Sequence, residues 1–191
     1  MQTWPSGLTK DTLLEAPLPI WLSEPIISRL TSIPLSSTNS DQIFGDSPHG
    51  QPNHVLVNEY HPGEGIMPHK DGAAYHPVVC TISLGSSLCL EIYESRSDGT
   101  TESNPRWKIL QEPRSLLVTT HKLYTDYLHG IAETTEDVDL GPASVANWSL
   151  LRSTDGILDG KCERQTRTSL TYRDVIKVSK LGTKFVMFGK R

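Results

Sequence analysis

His69-Lys70-Asp71 sets an imidazole and a carboxylate two residues apart, directly after the glycine- and proline-containing stretch HPGEGIMP. With seven His in 191 residues, chance supplies roughly 0.4 such pairs, so the pair alone is weak evidence. A third donor gives it meaning. Two imidazoles and one carboxylate on one face of Fe(II) leave three positions open, the donor set of non-haem iron oxygenases. His129, in Tyr127-Leu128-His129-Gly130, stands 60 residues further on, before a glycine that permits close backbone approach. His49, His54, His61, His76 and His121 read as surface or packing residues. A keto-acid cosubstrate filling two open positions also needs a fixed cation for its far carboxylate, ideally the planar fork of an arginine. Arg167 and Arg173 are both candidates: six residues apart, they share a face if the segment is a strand.

The elements that must position these groups are mostly strands. Val55–Tyr60, Val78–Leu84, Leu88–Tyr93, Ser115–Thr119 and Thr166–Val175 are rich in branched and aromatic residues and are separated by turn-forming stretches. Gly85-Ser86-Ser87 between VVCTISL and LCLEIYE predicts a hairpin with antiparallel pairing. Before them, Ser23 is placed to cap a helix with Glu24 and Pro25 in its first turn and Ile26, Ile27, Leu30 and Ile33 on its apolar stripe. Residues 36–53 read as a connecting loop. The expected fold is mainly β, a sandwich or jelly roll with one or two short N-terminal helices. Its domains are 1–53, a supporting helix and loop, and 54–191, the catalytic jelly roll, with inserted loops at 95–113 and 131–165.

Taken in order, Asn58-x-Tyr60, His69-x-Asp71, His129 and Arg167-x5-Arg173 resemble the signature of the AlkB family of Fe(II)- and 2-oxoglutarate-dependent dioxygenases. The stretch NHVLVNEYHPGEGIMPHKDG, with YHPVVCTISLG, EPRSLLV and YLHGI after it, is similar to the subgroup called AlkB homologue six. The resemblance implies a double-stranded β-helix (jelly roll) with Fe(II) on His69, Asp71 and His129, and with 2-oxoglutarate and O2 as cosubstrates. It also implies that Asn58 and Tyr60 hydrogen-bond 2-oxoglutarate, that Arg167 pairs with its distal carboxylate, and that Arg173 lines the cosubstrate pocket. The reaction implied is hydroxylation of a substrate C–H, commonly an N-methyl group, with loss of formaldehyde. Gly72 and Ala73 stand where nucleic-acid-repairing members commonly carry an acid, and Ser169 stands where an Asn is common. The start of the chain resembles the interior of longer members, so the expectation is an N-terminally shortened domain.

Composition bounds the rest. A chain of 191 residues with 36% hydrophobic content suits one core. It has no apolar run of about eighteen residues to span a bilayer and no signal-peptide order at its start. The expectation is therefore an intracellular protein, of cytoplasm or nucleus, with no membrane partner. Cys80, Cys89 and Cys162 lack metal-type spacing and read as reduced thiols. The net charge is −4, but residues 161–191 carry +7 and the remainder −11. That basic segment is either a set of solvated strand edges or a nucleic-acid-facing patch. The substrate class expected is a methylated nucleic acid or a protein. The alternative to an oxygenase is a catalytically impaired, metal-containing nucleic-acid-binding protein.

Overall fold

The structure is a computed structural model that describes residues 1–36, 39–95 and 104–180. The chain runs β1 (Gln2–Trp4), β2 (Thr12–Leu14), α1 (Ile20–Ser23), α2 (Ile26–Thr31), β3 (Pro34–Ser36), β4 (Asn39–Gln42), β5 (His54–Tyr60), β6 (Ile66–His69) and β7 (Tyr75–Gly85). It continues through β8 (Leu88–Glu94), β9 (Trp107–Gln111), β10 (Leu116–Thr120), α3 (His121–Thr125), β11 (Tyr127–Ile131), β12 (Glu136–Asp137), β13 (Cys162–Glu163), β14 (Arg167–Val175) and β15 (Lys177–Ser179). Two sheets dominate. The major one has the order β1-β5-β14-β7-β10 and the minor one β6-β11-β8-β9. From β5 to β11, chain neighbours other than β8 and β9 fall in different sheets, which is the crossing pattern of a jelly roll.

Period-two alternation explains how the major sheet serves two layers. Leu170 and Tyr172 of β14, Val55 of β5, and Val78 and Cys80 of β7 pack with Leu22, Leu30 and Phe44 in one core. The intervening Arg167, Ser169, Thr171 and Arg173, with Asn58, Tyr60 and Thr81, line a cavity on the opposite face. A second core of Leu88, Leu90, Ile92 and Ile131, against Tyr60 and Leu117, lies between the sheets. The helices thus brace one face of the major sheet and leave the other for the cavity. Tyr172 Oη adds a buried hydrogen bond of 2.9 Å to the Leu22 carbonyl.

Two local expectations change. The segment Leu88–Glu94 does not pair with Tyr75–Gly85: β7 pairs with β14 and β10, whereas β8 pairs with β11 and β9. Gly85, at φ +83, turns the chain from one sheet to the other, and a Cβ there would meet the Thr166 carbonyl oxygen at 2.4 Å. A turn glycine cannot distinguish a hairpin from a corner, because both need the same backbone freedom. The helix carrying Leu30 starts at Ile26 with Pro25 at its cap. Glu24, held extended ahead of Pro25 (φ −114, ψ 134), separates it from α1, as the steric bulk of a proline ring demands of the preceding residue. The apolar stripe is as expected, with Ile26, Ile27 and Ile33 packed around Leu30.

The polar excursions carry structure of their own. Trp107–Gln111 lies within 95–113 and forms the edge strand β9, while 96–103 fall outside the described residues. Residues 131–165 cover the outer face of the minor sheet, where Leu140 and Val145 pack on Cys89 and Leu110. Beneath them Arg164 donates from Nε (2.9 Å) and Nη2 (2.6 Å) to Asp137. Asp137 Oδ2 also accepts from the Cys89 amide at 3.1 Å.

Candidate active site

His69 and His129 are directly opposed in the antiparallel pairing of β6 with β11, which brings their ring centroids to 4.4 Å. The approach is close because Gly130 has no Cβ: one there would meet the Ile66 carbonyl oxygen and the Pro68 nitrogen at 3.1 Å. Asp71, two residues past the end of β6, turns its carboxylate toward the pair, with Oδ2 3.9 Å from His129 Nε2. Its other oxygen, Oδ1, lies 3.3 Å from Arg173 Nε, close enough for ion pairing but not aligned as a hydrogen bond. Arg173 is held from behind by the Tyr75 ring, 4.6 Å from its guanidinium carbon.

The loop between these ligating-type groups is pinned by α3 from both sides. Lys70 Nζ donates to the Thr125 carbonyl at 2.7 Å, and Tyr124 Oη donates to the Gly72 carbonyl at 2.5 Å. Tyr124 has no sequence signal that ties it to this loop, since the contact is made across 52 residues.

The donor chemistry suits a metal. His69 Nδ1 lies 2.9 Å from the Met67 carbonyl, an acceptor only, so Nδ1 donates there and Nε2 is the ring nitrogen left to face a metal. Burial holds His129 below the ordinary imidazole range, against the pull of Asp71, which favours the neutral ring with a lone pair to offer. Among the described residues, no three His, Cys, Asp or Glu side chains are drawn closely enough together to hold a metal ion as they stand. The arrangement is open toward the cavity.

That cavity has a volume of about 280 Å³, and of the seven histidines only His69 and His129 line it. Arg167 lies at its far end, 3% exposed. Nε and Nη2 of Arg167 donate to Ser83 Oγ at 3.3 and 2.8 Å, and Nη2 also donates to Gln111 Oε1. The Tyr60 ring lies 5.8 Å from its guanidinium carbon, and Asn58 Nδ2 donates to Tyr60 Oη at 3.4 Å. No carboxylate of the described residues pairs with Arg167. Burial lowers its pKa to about 10, with Tyr60 opposing, so the guanidinium stays charged at neutral pH. Register accounts for the grouping: Arg167 is opposite Tyr60, and Ser169 lies between Asn58 on one side and Ser83 on the other.

All seven residues singled out in the sequence therefore line one cavity. Gln111 joins them, and Ser83 stands behind Arg167, without any motif to announce either. The basic segment is differently disposed. Arg164, Arg167 and Arg173 are 4%, 3% and 8% exposed and face inward, and residues 181–191 lie outside the described residues.

Comparison with known proteins follows the same lines. The family model described as 2OG-Fe(II) oxygenase superfamily matches residues 24–173. "Probable RNA/DNA demethylase ALKBH6" of Danio rerio is 38% identical over 184 residues, covering 93% of this chain and 71% of its own length. "Uncharacterized protein L905" of Acanthamoeba polyphaga mimivirus is 33% identical, covering 66% of this chain and 50% of its own length. "tRNA (carboxymethyluridine(34)-5-O)-methyltransferase ALKBH8" of Macaca fascicularis is 31% identical, and the match covers 65% of this chain and 18% of that protein. The solved structure described as "The structure of OsALKBH1" aligns at a TM-score of 0.42 and 18% identity, over 77% of this chain and 57% of that one.

Proposed function

This chain belongs to the 2OG-Fe(II) oxygenase superfamily, and we propose that it is an Fe(II)- and 2-oxoglutarate-dependent dioxygenase that oxidatively demethylates a methylated nucleic acid. The observation that carries the reading is a single cavity with an unneutralised, buried arginine at one end and two imidazoles beside a carboxylate at the other. A buried cation without an acidic partner is costly, and an anionic cosubstrate offsets that cost.

In this reading His69 and His129 present ring nitrogens, and Asp71 a carboxylate oxygen, to Fe(II). Arg173 steadies Asp71 through the 3.3 Å contact and leaves Oδ2 facing the histidines. Arg167 holds the distal carboxylate of 2-oxoglutarate, with Ser83 and Gln111 fixing the plane of its fork. Asn58 and Tyr60 offer an amide and a phenol to the same molecule. When bound, iron and the keto acid supply the oxidation, coupling decarboxylation to hydroxylation of a substrate C–H. Two sheets close around that chemistry, and the apolar Ile66, Leu90 and Ile131 shield it from water.

The similarity to the Danio rerio protein named as a probable RNA/DNA demethylase supports nucleic acid as the substrate class. Anaerobic protein mixed with Fe(II) and 2-oxoglutarate should develop a visible charge-transfer band, and the band should be lost in His129→Ala. With O2 and methylated oligonucleotides it should release formaldehyde. Folded protein without the band would refute the iron site, whereas release from methylated peptides alone would refute the substrate class.

A further inference from the structure

Gln111 is buried, at 2% exposure, and ends β9 where it lines the cavity beside Arg167. Its amide orientation is dictated by its neighbours. Arg167 can only donate, and it meets Oε1; Ser83 Oγ donates to the same oxygen at 3.3 Å. Nε2 must therefore point the other way, and among the described residues it has no hydrogen-bond partner. A buried donor left unpaired costs about 1–3 kcal/mol, so an amide used only for packing would be a poor choice. A glutamate here would hold Arg167 equally well but would cancel its charge. The amide holds the fork while leaving the cavity end positive and adds a second donor beside it.

We propose that Gln111 Nε2 donates to the distal carboxylate of the keto-acid cosubstrate, and that Gln111 with Arg167 selects dicarboxylate over monocarboxylate 2-oxo acids. The inference rests on the reading that Arg167 receives that carboxylate. Two strands of different sheets, β9 and β14, then read one anion, so the pocket's length is set by how the sheets close. Ser83 on β7 is the positioning residue between them, since its hydroxyl both accepts from Arg167 and donates to Gln111.

The test titrates anaerobic Fe(II)-loaded protein with 2-oxoglutarate and with 2-oxopentanoate, which has the same chain length but no distal carboxylate, following the charge-transfer band. Gln111→Met, which removes the donor, should weaken 2-oxoglutarate by about tenfold or more while leaving 2-oxopentanoate within about twofold. Gln111→Glu keeps an acceptor for Arg167 and should show the same selectivity loss more strongly, which preserves the test if Gln111→Met does not fold. Unchanged 2-oxoglutarate affinity in the folded variants, or equal weakening of both acids, would overturn the proposal. Arg167→Ala separates the two layers of argument. If it leaves 2-oxoglutarate affinity unchanged, the reading of the whole site fails; if it weakens 2-oxoglutarate and the Gln111 variants do not, only the role of Gln111 fails.

Discussion

The three buried arginines are held in two ways. Arg173 faces Asp71, Arg164 faces Asp137, and Arg167 has only neutral partners. One further buried group makes stability depend on pH. His54 is 1% exposed, and its pKa falls from 6.5 to about 4 through burial first and Arg173 next, with the Ser6 backbone opposing. Between those values the unfolded chain holds the proton and the folded chain does not, so stability rises with pH across the window. Acidifying from 6.5 toward 4 should cost on the order of 3 kcal/mol at most. Urea midpoints for the native chain should fall over that range, and those for His54→Leu should fall less. Parallel slopes would show that His54 does not titrate in this way.

At the level of elements, the inserted segment 131–165 behaves as a third layer on the minor sheet rather than as a free loop. Its anchor is the ion pair of Arg164 and Asp137, with side chains 4% and 6% exposed. Removing one partner of a buried pair costs about 3–5 kcal/mol because the other charge is stranded. Asp137→Ala should lower stability by that order in chemical denaturation yet leave 2-oxoglutarate affinity unchanged, since neither residue lines the cavity. A loss below about 1 kcal/mol would mean that the pair is solvated. Strand alternation was legible along Thr166–Val175, where one face carries arginines and the other Leu170 and Tyr172. The pairing of Leu88–Glu94 was not, because a glycine turn has the same local chemistry in a hairpin and at a corner between sheets.

For the molecule as a whole, the cavity is a joint between sheets. The major sheet supplies Asn58, Tyr60, Arg167 and Arg173, and the minor sheet His69, His129 and Gln111. Ligands that bind across such a joint stabilise only the closed fold, by about 2.7 kcal/mol at one hundred times the dissociation constant. Mn(II), and then 2-oxoglutarate, should each raise the melting temperature. Arg167→Ala should keep the first increment and lose the second; retention of both would remove Arg167 from the cosubstrate pocket. What the sequence by itself determined was local: residue types, their spacing, the two-residue alternation that puts Arg167 and Arg173 on one face, and the glycine beside His129. These depend on backbone geometry over a few residues. The tertiary structure alone decided that His69 stands opposite His129, that α3 grips the loop at Lys70 and Gly72, and that Ser83 and Gln111 hold Arg167. Those contacts join residues 52 to 84 positions apart, and a separation of that size is bridged by sheet register and closure, which no short stretch of sequence encodes.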